Sequence, residues 1–171
     1  MNWPSTSSLL PFLRARRAAT LASCAVLTLA AAAVSLPCLA QSGPIEDLST
    51  FPRTALEIHE RSGVHRFEVW VANTENRKTQ GLMFVRDLPA DEGMLFVDCC
   101  SGIWMKNTYI SLDILFIGSG GRIVKIAARA KPFDLTTISA PGPVKDVIEL
   151  KGGEAEQLGL KDGDRVSWKS G

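Results

Sequence analysis

The stretch GMLFVDCCSGIWMKNTYISLDILFIGSGGRIVKIAARA, residues 93–130, decides the fold class of this chain. It contains four short hydrophobic runs, GMLFVD, GIWMKN, LDILFIG and RIVKIAARA, and the turn sequence GSGG joins the last two. Short runs that are rich in β-branched and aromatic residues and bounded by turn residues indicate strands rather than helices. The centre of the chain therefore predicts four strands in succession.

The same pattern continues on both sides of this stretch. Upstream, residues 54–60 and 64–72 predict a hairpin, because the second run has period-two alternation and RSG supplies the turn. A helix of about two turns is expected near 74–81, capped by Asn73 or Thr74 and ended by Gly81. Downstream, KDVIEL and RVSW predict two further strands, separated by a short helix near 153–159.

These elements predict a mainly β protein. About seven short strands and two short helices, with no regular βαβ alternation, favour a single antiparallel β-sandwich or barrel-like domain. We assign this domain to residues 54–169 and a flexible leader to residues 41–53, which are polar and contain two prolines.

Residues 1–40 have the pattern of a secretory signal peptide. Their only charges are three arginines before an uncharged, Ala-rich run, and the segment ends in Cys38-Leu39-Ala40, close to the small-x-small rule. We therefore expect cleavage near Ala40, a periplasmic or secreted protein, and no stable membrane span after cleavage. A retained anchor is the alternative, because the 19 uncharged residues from 18 to 36 approach the length that crosses a bilayer.

Charge and length narrow the classes of function. Residues 41–171 carry 16 basic and 18 acidic side chains, a net charge of −2, and contain no basic run. A balanced chain of this kind argues against nucleic acid as a partner, since phosphate binding uses clustered Lys and Arg. The length suits one domain with its own hydrophobic core.

The sulfur-containing residues are the weak candidates for a metal site. Cys99, Cys100 and Met105 lie close in sequence, and soft thiolate and thioether ligands select Cu(I). In the structural interpretation, Met105 fills a gap in the core. The adjacent cysteines then stay free or form a strained disulfide. His59 and His65 have no metal-binding spacing. We expect no metal and no cofactor.

Three consecutive polar residues interrupt the hydrophobic run 102–118 and form the candidate site. On strand geometry, Trp104, Lys106 and Thr108 would share one face, and Met105 and Asn107 the other. A lysine that faces a core needs a carboxylate, because an unpaired buried charge is costly. Asp113 is the nearest candidate in sequence, with Asp91 or Glu92 as alternatives.

Two interpretations follow for this site. In the favoured one, Lys106 and Asp113 form an ion pair that fixes a turn. In the other, Trp104 is the apolar wall of a polar pocket, and Arg86 contributes to it with Lys106, Asn107 and Asp113. Arg86 would either clamp an anionic ligand or pair with Asp91 or Glu92.

Several motifs in a fixed order resemble the prokaryotic domain of unknown function 192, over residues 54–168. The matching segments are Gly81-Leu82-Met83, Arg86, Leu88-Pro89, Gly93-Met94-Leu95-Phe96, Trp104-Met105-Lys106-Asn107-Thr108, Leu112-Asp113, GRIV at 121–124 and ELKGGEAEQLGLKDGDRV at 149–166. The resemblance implies a compact β-sandwich-like domain, often exported, with no settled activity. The chain departs from the pattern at DCCSGI, residues 98–103, and at Ser111, where proline is usual.

The sequence favours binding over catalysis. We expect a non-catalytic binding domain for a small anionic ligand, an envelope saccharide or a partner protein. The candidate ligand-binding residues are Arg86, Trp104, Lys106, Asn107, Thr108 and Asp113. The alternative is a cell-envelope hydrolase that uses Asp113 or Glu92 as acid or base, with Lys106 stabilising negative charge. A structural envelope component is the third possibility. No nucleophile elbow occurs, and no catalytic residue is assigned.

Overall fold

The computed structural model describes residues 45–169, so the predicted signal peptide, its cleavage point and residues 41–44 of the leader lie outside the described residues. A 3-10 helix at Leu48–Thr50 precedes the first strand. The strands are β1 (Arg53–His59), β2 (Val64–Ala72), β3 (Glu92–Phe96), β4 (Gly102–Ile103), β5 (Leu112–Ile117), β6 (Ile123–Ala130), β7 (Ile138–Ser139), β8 (Asp146–Lys151) and β9 (Arg165–Trp168). The helices are α1 (Glu75–Gln80) and α2 (Glu154–Gln157).

Seven strands form one curled sheet in the order β6-β5-β8-β3-β2-β1-β9, and β4 and β7 form a second, two-stranded sheet. The predicted mainly β class with two short helices is confirmed. The curled sheet resembles a half-barrel, and one of its pairs, β2 with β3, is parallel. The parallel pair follows from α1, which lies in the connection from β2 to β3 and returns the chain to the end of the sheet where β2 began.

Local signals set the first elements as expected. The β1–β2 hairpin pairs seven residues of each strand in antiparallel register. The side chain of Thr74 accepts a hydrogen bond from the backbone N–H of Arg77, so Thr74 is the N-cap of α1. Gly81 ends α1 at a φ of 51°, a conformation that disfavours any side chain. The helix near 74–81 is therefore confirmed, with both predicted caps.

The predicted strand GIWMKN is wrong beyond Ile103. β4 has only two residues, because its partner among residues 45–169 is β7, a two-residue strand that the sequence did not predict. The chain then leaves the sheet: the backbone N–H of Met105 donates to Asp134 O (2.8 Å) and that of Thr108 to Met105 O (3.2 Å). Asn107 has a φ of 56°. The polar residues 106–108 thus form a turn.

The sheet buries side chains on both of its faces. All six residues of β5 and the first five of β8 are buried, as central strands require. In β8, Ile148 and Leu150 pack in the cluster with Leu95 and Leu115, whereas Val147 packs in the cluster on the opposite face. Since side chains alternate along a strand, Glu149 points to the same face as Val147. No helix within residues 45–169 is both long and apolar enough to cross a membrane.

Candidate functional site

A small cleft of about 80 Å³ lies between the end of α1, the loop after β4 and the strand β8. We call it the Glu149 cleft. Its lining residues are Lys78, Thr79, Gln80, Gly81, Leu82, Met83, Phe96, Cys100, Gly102, Ile103, Trp104, Lys106, Thr108 and Glu149. An adjoining cavity of about 70 Å³ shares the wall formed by residues 79, 80, 83, 104 and 106. Three of the six predicted ligand-binding residues therefore line this cleft: Trp104, Lys106 and Thr108.

Glu149 is a buried ionisable residue in the wall of the cleft. Its residue is 4% exposed, and its neighbours across the sheet, Met94 and Ile114, are fully buried. Its Oε2 atom has no hydrogen-bond partner among the described residues. Burial raises the pKa of Glu149 to about 8, although a hydrogen bond from the backbone N–H of Leu82 partly opposes the rise. The carboxyl group is therefore mainly neutral at pH 7.

Gly81 lets the end of α1 approach this carboxyl group. A Cβ atom at Gly81 would lie 3.2 Å from the ring of Phe96 and 3.8 Å from Oε2 of Glu149. A side chain at Gly81 would thus occupy the space beside the carboxyl group, in addition to the cost of its positive φ. The glycine that ends the helix also keeps the cleft open.

Trp104 and Lys106 form the outer wall of the cleft. The indole is partly solvent-exposed, at 46%, and the Lys106 Nζ lies 5.1 Å from its ring centroid, a cation–π distance. Within residues 45–169, no carboxylate lies within ion-pairing distance of Lys106. The predicted ion pair of Lys106 with Asp113, Asp91 or Glu92 is therefore wrong, because the turn carries Lys106 to the surface and its charge stays in water.

Asp113 is a structural anchor away from the cleft. It is fully buried, and its Oδ1 accepts hydrogen bonds from the backbone N–H groups of Arg129 (2.7 Å) and Gly153 (3.0 Å). Its Oδ2 accepts one from Ala155 (2.8 Å). These bonds tie β5 to β6 and to the start of α2. The interpretation that placed Asp113 in the same pocket as Lys106 is corrected, because its carboxylate is occupied by backbone groups.

Arg86 and Glu92 also lie outside the cleft. The guanidinium of Arg86 sits 4.7 Å from the ring centroid of Tyr109 and forms no ion pair with Asp91 or Glu92. Glu92 pairs instead with Arg53, at 2.8 Å. The ion pair predicted for Arg86 is wrong, because Arg53 of β1 already pairs with Glu92.

Asn107 and Thr108 shape the loop. The carbonyl oxygen of Asn107 accepts a hydrogen bond from the backbone N–H of Phe84 (2.9 Å), and its Nδ2 lies 3.9 Å from the sulfur of Met83. Thr108 is buried, and its hydroxyl donates to the carbonyl of Lys106 (3.2 Å). Asn107 lines the adjoining cavity, and Thr108 lines the cleft itself.

The weak metal candidates do not offer the ligands that a soft metal needs. Met105 is fully buried in the core, and Cys99 and Cys100 are joined by a disulfide bond. A disulfide removes the thiolates that a soft metal would bind. Across the described part of the chain, no three His, Cys, Asp or Glu side chains are grouped so that they would hold a metal ion.

Sequence reasoning missed Glu149. The signal was present, because Glu149 lies between the apolar residues Val147-Ile148 and Leu150 in a segment that becomes a central strand. A charged residue inside such a strand is informative, since Glu is almost never fully buried without a partner. The residue also belongs to the motif ELKGG, so the resemblance already included it.

Comparisons with known proteins support this fold. The family DUF192, described as "Uncharacterized ACR", matches residues 56–168. The crystal structure of a protein of unknown function from Novosphingobium aromaticivorans DSM 12444 is 38% identical, with a TM-score of 0.69, covering 73% of this chain and 91% of that one. A Sinorhizobium meliloti 1021 protein named a "putative transcription regulator" is 35% identical, with a TM-score of 0.65, covering 74% and 98%. No functionally curated protein matches the chain.

Proposed function

The chain belongs to the DUF192 family, and we propose that it is a non-catalytic binding domain whose Glu149 cleft receives the oxyanion head group of a small ligand, such as a carboxylate. One observation carries the proposal. Two residues that line the same cleft have unused hydrogen-bonding capacity within residues 45–169: Oε2 of Glu149 is buried without a partner, and Lys106 has no carboxylate.

The protonation states of these groups favour an anion. At neutral pH the carboxyl group of Glu149 is mainly protonated and donates a hydrogen bond, and the ammonium of Lys106 donates as well. An oxyanion accepts from both, and charge-assisted hydrogen bonds of this kind are the strong ones. A neutral saccharide would leave the charge of Lys106 without a counter-charge, which is why a carboxylate is the better fit.

The dimensions of the cleft limit the size of the head group. A volume of about 80 Å³ holds only a few non-hydrogen atoms. The rest of the ligand would extend along the exposed indole of Trp104, which offers an apolar surface next to the ammonium of Lys106.

The arrangement gives little support to the hydrolase alternative. Glycoside hydrolysis by carboxyl groups requires a pair of them on opposite sides of the scissile bond. Glu149 is the single carboxyl group among the residues that line the cleft. Asp113 is held by three backbone N–H groups, and Glu92 is paired with Arg53, so neither serves this cleft.

We also propose that the protein is exported. The support is the sequence of residues 1–40, with its basic start, apolar centre and small residues before Gln41. N-terminal sequencing of the protein from the cell envelope is expected to begin near Gln41. Envelope protein that begins at Met1 would show that the segment is a retained anchor.

A matched pair of probes tests the binding proposal. Phenylacetate carries a carboxylate and a ring that can pack on Trp104, and phenylacetamide has the same shape without the charge. We expect phenylacetate, but not the amide, to raise the melting temperature of the purified protein, because a ligand at 100 times its Kd stabilises the folded state by about 2.7 kcal/mol. The rise in melting temperature with phenylacetate should become smaller above pH 8, because the ionised carboxylate of Glu149 no longer donates a hydrogen bond.

A substitution completes this test. Lys106→Met should abolish the phenylacetate effect, whereas Lys131→Met, which removes an exposed lysine outside the cleft, should preserve it. An equal response to the acid and the amide would contradict the proposal, as would an unchanged response in Lys106→Met. Stabilisation by saccharides alone would support the saccharide interpretation instead.

A further inference from the structure

A second and larger groove, of about 520 Å³, lies between the end of β1, the turn before β6 and the turn that precedes β9. It shares no lining residue with the Glu149 cleft. Four exposed cationic residues line it: Arg61, Arg122, Lys161 and Arg165. We call it the basic groove.

Strand pairing stacks basic side chains across this groove. Arg165 of β9 lies directly opposite His59 of β1 and, through an isolated antiparallel bridge, directly opposite Arg122. Directly opposite residues point to the same face of a sheet. The following residues, Ile123 and Val166, are buried, so Arg122 and Arg165 both point away from the core. Arg122 and Arg165 therefore lie side by side, and His59, whose Nε2 is 3.5 Å from Oε2 of Glu57, lies next to Arg165.

Charge pairing within the protein does not explain why Arg122 lies opposite Arg165. Like charges directly opposite each other on neighbouring strands are destabilising. Within residues 45–169, none of the four cations of the basic groove forms an ion pair. Arg122 Nη1 donates to Gly163 O (2.8 Å), which holds this guanidinium over the turn before β9.

Three carboxylates also line the basic groove, and two of them are bound locally. Glu60 accepts hydrogen bonds from the backbone and side chain of Ser62, and Oδ2 of Asp164 accepts from the backbone N–H of Lys161. Asp162 is the third. Because no ion pair joins them to the arginines, the guanidinium groups keep donors available for a ligand.

We propose that the basic groove binds a small polyanion that carries at least two linked phosphate-type groups, with pyrophosphate as the simplest example. A guanidinium matches the geometry of a phosphate through two parallel hydrogen bonds. Neighbouring strands are about 4.8 Å apart, so Arg122 and Arg165 present two cations to two linked anionic groups rather than both to one. The volume lies within the range of about 300–1,000 Å³ that small-molecule sites occupy.

Calorimetric titration of the purified protein with pyrophosphate at low ionic strength tests this site. We expect saturable 1:1 binding that weakens as salt is added, and binding of inorganic phosphate that is about tenfold weaker or more, since it offers a single group. The absence of pyrophosphate binding at low salt would overturn the proposal. So would binding of a single-stranded oligonucleotide that pyrophosphate does not displace.

Matched double variants locate the site. Arg122→Gln with Arg165→Gln should weaken pyrophosphate binding by about 100-fold, since each charged hydrogen-bonding partner is worth about a factor of ten. The same variant should unfold at nearly the wild-type temperature, because the loss of like-charge repulsion offsets the loss of the hydrogen bond from Arg122 to Gly163 O. Arg66→Gln with Lys131→Gln removes the same charge outside the basic groove and should bind normally. Equal affinity of the two double variants would overturn the proposal.

Discussion

Replacing Glu149 with glutamine should remove a large pH dependence from the stability of this protein. Burial raises the pKa of Glu149 from 4.5 to about 8 in the folded state, whereas in the unfolded chain the group is in water and keeps its ordinary pKa. Between these two pH values the folded state holds a proton that the unfolded state has released. The free energy of unfolding therefore falls as pH rises through this interval.

The magnitude follows from the two pKa values. The interval from 4.5 to about 8, at about 1.36 kcal/mol for each pH unit, corresponds to a loss of about 5 kcal/mol. This contribution is fully present below pH 4.5 and fully lost above pH 8. Glutamine has nearly the shape of the protonated acid and does not ionise. Glu149→Gln should thus match the wild type near pH 4.5 and exceed its stability by about 5 kcal/mol at pH 9.

Urea denaturation of both proteins at a series of pH values between 4.5 and 9, followed by tryptophan fluorescence, measures this difference. Other titrating groups are common to the two proteins, so the difference between the curves isolates Glu149. Glu68→Gln, which changes an exposed glutamate, is the control and should alter stability by less than about 0.5 kcal/mol at every pH. A wild-type and Glu149→Gln difference that stays constant from pH 4.5 to 9 would refute the reasoning.

Three other predictions separate structural from functional residues, and a fourth concerns metals. Lys106→Met should change the free energy of unfolding by less than about 1 kcal/mol, because the interaction of this ammonium with residues 45–169 is an exposed cation–π contact; a large loss of stability in urea would show a structural role. Asp113→Ala should lower the free energy of unfolding by at least about 3 kcal/mol, since it leaves three backbone donors without their charged acceptor. The control Asp87→Ala, at an exposed side chain, should leave the free energy of unfolding nearly unchanged. Gly81→Ala should lower the melting temperature, because a Cβ there meets Phe96 at 3.2 Å and the φ is 51°; an unchanged value would contradict this account. Elemental analysis of the purified protein should find no stoichiometric copper or zinc, and one metal ion per chain would overturn that expectation.

The sequence alone was sufficient for features that depend on near neighbours. The alternation of residues 64–72 and the turn RSG specify the β1–β2 hairpin, because both act within a few residues. Thr74 and Gly81 set the two ends of α1 for the same reason, because a cap bonds to groups three or four residues away. The mainly β class followed from many such short elements.

The tertiary structure decided the partners of each polar group. Lys106 and Asp113 are seven positions apart, yet one lies over Trp104 at the surface and the other binds backbone groups of residues 129, 153 and 155. Within residues 45–169, β4 pairs only with the two-residue strand β7, more than thirty positions away, and it ends after two residues.

Glu149 illustrates the same division between sequence and structure. Its place between apolar neighbours is visible in the sequence, but its pKa depends on how completely β3, β5 and the end of α1 exclude water from it. Burial and charge pairing are set by residues far apart in the chain. Local patterns therefore determine most of the elements, whereas long-range packing determines where β4 ends and the electrostatics of the Glu149 cleft.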